Sequence, residues 1–531
     1  MAGTAAGPEK DDEMTLRLPA AALAILPALA APALALTADE VWQNQTGYLG
    51  ALGVSVAATP RRDGATTTMT DVRFVWTGPA GLGEVTLDAP DVTLTEEPDG
   101  SVTIGYPATF TMPLSASLTL DGETAGVQTA IAVRLDGHST VASGTPDSVS
   151  YVSRTAFIDI VLDGLTIEGS PAIAITDFPL NLIVTTWESS GTATISRDSG
   201  LHRIGATSTQ GQVIFEAGWQ DTFGLRTTIA GATEAGSSEY RMTIPETPVD
   251  WRDPSAALRE GLSFEGTVSS VGTRQQTVVM ADDAVLSSDG QTTDRSTQSL
   301  AISAAGLAVS GTAQGITYSR PADEMVPVAV TVSLEDAAGS LALPLLADSA
   351  PQEVSFAIDL RGITANDEVW SLVDPSAVLP RDPAVLALSV GAEVVNRVDL
   401  LNVGGWEEVA DRMASGDVPV DLLSLTVTGL EAAAVGVRLT GEARFTFDNA
   451  DRTTFPGMPR PEGEASARIS GLYGLLERLS QSGLVPKEAI LGARASIESF
   501  AQPSGEDEVT SQLRIGPDGA VTLNGMAFPL Q

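Results

Sequence analysis

Cysteine is absent from this chain of 531 residues, and lysine, histidine and aromatic residues are scarce. Without cysteine there is no disulfide framework, no thiolate metal site and no cysteine nucleophile, and the chain can cross an oxidising compartment without mispaired thiols. Lysine occurs only at Lys10 and Lys487, and the formal net charge is −39. Because so acidic a surface repels phosphate, the composition argues against nucleic acid as a partner and against direct attraction to anionic lipid headgroups.

Aromatic residues make up only 5% of the chain, whereas hydrophobic residues make up 43%. A core of small aliphatic side chains favours extended sheets over a compact, aromatic-centred globule. The chain is also too long for one ordinary core, so two or more domains or one elongated sheet are expected.

Residues that carry chemistry are few. The two histidines, His138 and His202, have no zinc-ligand spacing and are interpreted as surface residues, and the chain contains no G-x-S-x-G or H-E-x-x-H motif. We therefore assign no catalytic residue, no metal ligand and no cofactor, and the residues that bind a ligand stay unassigned.

Carboxylates are abundant, but two clusters stand out. Asp448, Asn449 and Asp451 resemble the start of a calcium loop but lack its glycine and terminal glutamate, so we interpret them as a solvated turn. The second cluster has helical spacing, which favours an exposed helix face: Trp406, Glu407, Glu408 and Asp411. A glycosidase that uses two acids is the remaining enzymatic alternative, although the chain lacks an aromatic sugar platform.

The hairpin from Asp91 to Tyr106 shows the pattern that dominates the chain. Apolar and polar residues alternate on both sides of the turn Glu96 to Gly100, which is typical of a half-buried antiparallel pair. Similar runs, separated by Asp-Gly turns, continue from Val54 to Met242 with no helix of useful length. A parallel α/β sheet is thereby excluded.

The first 35 residues predict an N-terminal extension and a signal peptide. Arg17 precedes an apolar stretch, and Ala33 and Ala35 form an A-x-A cleavage site, so the mature chain is expected to begin at Leu36. The acidic residues before Met14 favour Met14 as the true start. The alternative is an inner-membrane anchor facing the periplasm, although prolines interrupt the stretch and no stable transmembrane anchor is expected.

Helices are expected at a few places along the mature chain. Thr37 and Glu40 form a capping box for a short amphipathic helix that is expected to plug the first sheet or to lie along it. A similar sequence recurs from Thr364 to Trp370, either as an internal duplication or as shared capping chemistry. Asp253 is expected to cap a short helix over Pro254 to Glu260. Near the end, two amphipathic helices are predicted over Ala465 to Ser482 and from Pro486 to Phe500, followed by a hairpin of Val509 to Ile515 and Ala520 to Met526.

The predicted fold is mainly β: elongated, curved antiparallel sheets in two halves, with stacked β-sandwiches as the alternative. The predicted boundaries are residues 36–244 for the first half, 245–261 for a linker with a short helix, and 262–531 for the second half. Within the second half, residues 281–299 are interpreted as a protruding loop or hairpin tip, and 374–383 as a proline-rich passage before strands resume at Ala384.

Several stretches resemble an uncharacterised alphaproteobacterial envelope family, known as domain of unknown function 2125. They are Leu36 to Leu52 (LTADEVWQNQTGYLGAL), Leu379 to Pro383 (LPRDP), Gly471 to Pro486, and Gly519 to Pro529 (GAVTLNGMAFP). More distantly, the long sheets and the late G-x-V-x-L-N-G hairpin look like AsmA-type envelope proteins, which are thought to carry lipids along an open groove lined by sheet. These likenesses imply an envelope location and carry over no functional residue.

Antiparallel strands with one apolar face must bury that face on something. If neither a second sheet nor helices cover it, aliphatic side chains offer a slot for acyl chains. We therefore expect a non-enzymatic periplasmic protein that binds or shields lipid tails or supports the outer membrane, with acyl chains or envelope proteins as partners. The alternatives are a structural scaffold of the envelope and an enzyme that acts on envelope polysaccharide. The sequence does not assign an oligomeric state.

Overall fold

The fold is known from a computed structural model. It describes residues 35–78, 83–120, 123–168, 177–221, 223–323, 326–402, 405–414, 418–482 and 485–528. Of the predicted cleavage site, Ala33 lies outside the described residues and Ala35 inside them. None of the helices in these ranges is long and apolar enough to cross a membrane.

The strands of the first part of the chain are β1 (Val54–Asp63), β2 (Thr66–Thr77), β3 (Gly83–Asp88), β4 (Val92–Glu96), β5 (Val102–Gly105), β6 (Thr109–Leu120), β7 (Glu123–Asp136), β8 (Ser139–Thr145), β9 (Ser148–Glu168), β10 (Asp177–Asp198), β11 (Leu201–Gln210), β12 (Val213–Gln220), β13 (Arg226–Thr233) and β14 (Ala235–Pro245). Those that follow are β15 (Ser263–Ala281), β16 (Ala284–Ser303), β17 (Gly306–Arg320), β18 (Val330–Leu343), β19 (Gln352–Ala365), β20 (Ala384–Asn396), β21 (Val420–Ala434), β22 (Val437–Asp448), β23 (Arg460–Ser470), β24 (Gln502–Gly505), β25 (Glu508–Ile515), β26 (Val521–Leu523) and β27 (Met526–Ala527).

The helices are short. They are α1 (Ala38–Thr46), α2 (Ser255–Arg259), α3 (Asp367–Val373), α4 (Trp406–Ala414), α5 (Leu472–Ser482) and α6 (Lys487–Phe500), with a 3-10 helix over Leu49–Leu52. The mainly β prediction with a few short helices is therefore confirmed.

All described strands belong to one antiparallel sheet. In its first part, long strands carry two shorter ones end to end: β10 pairs with both β11 and β12, and β15 with both β13 and β14. From β15 to β23 each strand simply pairs with the next one in sequence. One continuous sheet is thus present, and not the stacked sandwiches that were the alternative.

The main core lies under α1. Thr37 caps this helix in the predicted capping box, its side chain accepting from the Glu40 N–H at 3.2 Å while the Glu40 carboxylate accepts from the Thr37 N–H at 2.8 Å. Asn44 then ties the helix to the sheet, donating to the Ile195 carbonyl and accepting from the Tyr151 hydroxyl. The buried side chains beneath the helix come from strands far apart in sequence: Met69, Val72, Val92, Leu94, Val102, Ile104, Val149, Tyr151, Ile195, Ile204 and Ile244. The prediction that α1 lies on the first sheet is confirmed.

The proline-rich segment after β14 packs onto the start of the chain. The Val249 N–H donates to the Ala51 carbonyl, and the Trp251 indole N–H donates to the Leu52 carbonyl. Helix α2 follows with Pro254 at its N-cap, and Asp253 accepts from the Ser255 N–H at 3.1 Å. Because β13 and β14 pair with β15, the sheet runs without interruption past this segment, and the division into two halves stays a prediction.

One local prediction is confirmed in part and another is wrong. Of the two forms predicted for residues 281–299, the structure shows the hairpin tip and not the loop: β15 and β16 form one long hairpin whose turn is only Asp282 and Asp283. Residues 465–470 are not helical but belong to β23, and α5 begins only after Gly471, whose φ of +79° ends the strand. By contrast, α6 follows Pro486 as predicted, and β20 begins at Ala384 as predicted.

The two similar segments with the sequence Thr-Ala-(Asn)-Asp-Glu-Val-Trp both form helices, α1 and α3, but in different surroundings. Helix α1 buries Ala38 and Val41, whereas α3 has no buried residue and its N-cap Asn366 makes no side-chain capping bond. The Asn366 amide instead donates to the Ala329 carbonyl and accepts from the Thr331 N–H, which ties α3 to β18.

The sheet is largely a single layer. The solvent-accessible area of the whole chain is 31209 Å². A compact monomer of 54.8 kDa exposes roughly 18,000 Å². The excess persists after subtracting about 9,000 Å², the most that the residues outside the described ranges could expose as extended chain. Large parts of both faces of the sheet are therefore open to solvent.

Candidate functional site

Ten apolar side chains lie directly opposite one another on ten neighbouring strands, β16 to β23, β25 and β26, on one face of the sheet. Each is the register partner of the next. With strands about 4.8 Å apart, this line is roughly 43 Å long. We call it the apolar row, and its members are Leu300, Val309, Leu341, Phe356, Val390, Val427, Ala443, Ala465, Leu513 and Leu523.

A second row runs beside it, two residues further along each of the same strands and therefore on the same face. It contains no polar side chain either: Ile302, Leu307, Leu343, Val354, Ala392, Leu425, Phe445, Gly463, Ile515 and Val521. Two residues of extended chain separate the rows by about 6.7 Å. Together the two rows form a continuous apolar strip that crosses the strands, and we call this strip the groove.

Part of the groove is covered and part is open. Leu258 of α2 and the loop residues Leu345 and Leu346 form a small buried cluster against Ile302, Leu307 and Leu343, which covers the start of the second row. In the apolar row, Val309 is 42% exposed and Phe356 is 44% exposed, although both are large and apolar. The open stretch of the groove is therefore the apolar row over β16 to β19, beside a second row that the cluster covers over β16 to β18.

The opposite face of these strands is polar. Cross-strand pairs of hydroxyl groups follow it, including Thr267 with Ser299 at 2.9 Å and Ser269 with Thr297 at 3.0 Å. Further along, a depression of about 660 Å³ is lined by Glu442, Arg444, Glu464 and their neighbours. Arg444 and Glu464 are direct register partners there. Since its lining combines both signs of charge and contains no histidine, this depression is best described as a solvated surface of mixed charge.

The two histidines are half-buried, so their interpretation as surface residues is wrong. The His138 ring lies between two buried threonines, with Nδ1 2.8 Å from Thr155 Oγ1 and Nε2 3.1 Å from Thr140 Oγ1. Burial lowers the pKa of His138. His202 lies in β11 near Tyr48, and burial together with the nearby Arg197 lowers its pKa as well.

A His138→Gln variant is expected to lose less stability on acidification than the wild type. Because the pKa of His138 is lower in the folded chain than its ordinary 6.5, the unfolded chain takes up the proton first as the pH falls below that value. The stabilisation is therefore complete above about pH 6.5 and is lost as the pH falls through the folded pKa. Urea midpoints measured on either side of that pH test this, and an equal loss in both proteins would contradict it.

The acidic clusters are placed as turn and helix. Asp451 lies in the turn between β22 and β23, where it accepts from the N–H groups of Thr453 and Thr454 and from the Arg460 guanidinium. The Thr454 hydroxyl also donates to Asp451. This bond, with those from the N–H groups of Thr454 and Thr453, lowers the pKa of its carboxyl well below the ordinary range. Asp411 is exposed on α4. In the described part of the chain, no group of three or more acidic or histidine side chains is arranged to hold a metal ion.

The family of this chain follows from its sequence profile. The profile described as "Uncharacterized protein conserved in bacteria (DUF2125)" matches residues 240–530, from β14 through the apolar row to the C-terminal hairpin. The chain belongs to this family. Three of the four stretches that carried the resemblance lie inside the matched region, and Leu36 to Leu52 lies before it.

Other comparisons add little. No curated protein matches the chain. Among solved structures, the crystal structure of the ferric citrate transporter FecA in the unliganded form is similar at 8% identity with a TM-score of 0.14, over 89% of this chain and 76% of that one. So low a score carries no argument about fold or function.

Proposed function

We propose that this protein is a non-enzymatic, exported protein of the cell envelope that binds lipid acyl chains in the groove between the apolar row and the second row. The observation that carries the proposal is the groove itself. Its twenty flanking residues include no polar or charged side chain, and Leu300, Val309, Leu341 and Phe356 stand open to solvent. An apolar surface of this extent that is exposed to solvent is typical of a binding site.

The chemistry of the groove favours acyl chains over a protein segment. The backbone groups of these strands are already paired in the sheet ladder, so they have little left to offer a polypeptide. Protein interfaces concentrate their energy in Trp, Tyr and Arg, and the two rows contain only Phe356 and Phe445 as aromatic residues. An acyl chain needs neither hydrogen bonds nor anchors of that kind.

The expected affinity is moderate for one chain. A fully buried methylene gains about 0.8 kcal/mol, so a methylene with half its surface covered gains about 0.4 kcal/mol by proportion. A long acyl chain in an open groove would then gain on the order of 5 kcal/mol. One leaflet of hydrocarbon is about 15 Å thick, and the open stretch over β16 to β19 spans roughly 14 Å. The open stretch therefore matches the length of one acyl chain.

Native mass spectrometry of the protein purified from periplasm, combined with titration of a fluorescent fatty acid, tests the function. Co-purified lipid and saturable uptake are expected. Absence of both would remove the proposal and favour the alternative, an envelope scaffold whose apolar groove is covered by other envelope proteins. Lipid carriage of the AsmA type stays a prediction in either case.

The mature chain is expected to begin at Leu36. This residue is 2% exposed, and its N–H donates to the Gly100 carbonyl at 3.0 Å, so the residue that follows the predicted cleavage site is packed against the sheet. N-terminal sequencing of protein from a periplasmic fraction should find Leu36 first, and Ala33→Lys combined with Ala35→Lys should block processing. Uncleaved wild-type protein in the cytosol would contradict an exported role.

A further inference from the structure

Phe223 is the most exposed large apolar side chain in the described ranges, at 89%. It lies at the tip of the hairpin that joins β12 to β13, at the end of the sheet opposite to α2. A side chain in this position contributes nothing to the core and is free to contact an external partner.

Four backbone amides of the turn that presents Phe223, those of Asp221, Phe223, Gly224 and Leu225, are satisfied within the turn. The Asp221 carboxylate accepts from the N–H groups of Phe223 and Leu225, both at 2.9 Å. The Gly224 N–H donates to the Asp221 carbonyl, and the Asp221 N–H donates to the Leu225 carbonyl. Because an unpaired N–H is costly in an apolar medium, this turn can leave water at a lower cost than an ordinary loop.

A second apolar tip lies beside the first. Strand β13 pairs with β15 through Arg226 and Met280, which brings the β15–β16 turn next to the β12–β13 turn. The residues after this second turn are also exposed, Val285 at 59% and Leu286 at 44%. Asp282 and Asp283 make a two-residue turn with positive φ at both positions, the tight geometry that hairpins prefer.

We propose that these two hairpin tips, Phe223 with Val285 and Leu286, insert into the interfacial region of a lipid bilayer. A protein partner would need a pocket around a side chain that stands almost completely free, whereas a bilayer accepts it from any direction. Asp221, Asp282 and Asp283 outnumber the one arginine of the two turns, Arg226. The tips therefore favour zwitterionic over anionic lipid. This proposal does not depend on acyl chains binding in the groove.

The absence of cysteine makes the test direct, because Phe223→Cys or Val285→Cys creates a single labelling site. Met458→Cys serves as the matched control, since Met458 is 54% exposed but lies in the β22–β23 turn at the other end of the sheet. Each variant carries an environment-sensitive fluorophore and is mixed with phosphatidylcholine vesicles. A blue shift is expected at positions 223 and 285 and none at 458.

Sedimentation with the same vesicles gives the unlabelled measurement. Phe223→Ser should weaken vesicle binding by roughly tenfold or more, Met458→Ser should leave it unchanged, and equal parts of phosphatidylglycerol should weaken binding of the wild type. An unchanged urea midpoint for Phe223→Ser shows that the variant is folded. No shift at either tip, an equal shift at position 458, or tighter binding to the anionic vesicles would overturn the proposal. Loss of fatty-acid uptake would not affect it.

Discussion

Leu341→Glu is expected to abolish saturable uptake of a fluorescent fatty acid. Leu341 lies on β18, in the open stretch of the groove. Its register partners in the apolar row are Val309 on β17 and Phe356 on β19. A carboxylate there must either lose its hydration when an acyl chain covers it or hold the chain away, and both are costly. Because each tenfold change in affinity is about 1.4 kcal/mol, a penalty of a few kcal/mol removes a moderate affinity completely.

The adjacent Ser340 provides the matched control. Its side chain points to the opposite, polar face, because side chains alternate along a strand, and it is also exposed. Ser340→Glu adds the same charge to the same strand and should leave uptake unchanged. Equal loss in both variants would assign the effect to damage of β18, and retained uptake in Leu341→Glu would show that acyl chains bind elsewhere or not at all. The urea midpoint of both variants distinguishes the first outcome from misfolding.

Leu94→Ala is expected to lower the free energy of unfolding by about 3 kcal/mol. Leu94 is completely buried in the core beneath α1, where the hairpin of β4 and β5 meets the helix. Removing its side chain forfeits the transfer of the lost atoms from water and leaves a cavity that a packed sheet cannot close. Urea unfolding followed by tryptophan fluorescence measures the loss, since Trp42 packs against the same core.

Leu386→Ala is the control, the same deletion at a site that is 42% exposed on β20. Its cost should be about 1 kcal/mol or less, because water already reaches much of that side chain. Similar losses at both positions would mean that the stability of the chain is not concentrated in the core under α1.

The sequence predicted features that depend on neighbouring residues. The hairpin of β4 and β5 appears as predicted, with Val92, Leu94, Val102 and Ile104 all buried, because alternation and a tight turn are local properties. The Thr37 cap is local for the same reason.

Features that depend on contacts between residues far apart in the sequence were not predicted. Residues 281–299 contain few apolar side chains, and their strand is supported by hydroxyl pairs such as Ser270 with Ser296 at 2.7 Å, which leave no periodic signal. The spacing of Ile469 and Leu472 fits a helix equally well, but Gly471 allows no Cβ, which would lie 2.0 Å from the Gly436 carbonyl oxygen.

The apolar row could not be read from the sequence, although the apolar face of each strand could. The row exists because ten strands pair in one particular register, and a shift of one residue in any of them would bring in a neighbour that is polar, alanine or glycine. The half-buried environment of His138 was missed similarly, because Thr140 and Thr155 belong to two different strands.

The order of strand pairing has a consequence for how the chain assembles. From β15 to β23 every strand finds its partner in the strand made just before it, so this part can grow by successive additions at one edge, with short chain closures at each step. The packing beneath α1 cannot be completed in that manner, since it joins Leu36 to Ile244 and waits for two hundred intervening residues. The strands from β15 onward therefore add to a core in which Leu36 reaches its last partner only after Ile244 has been synthesised.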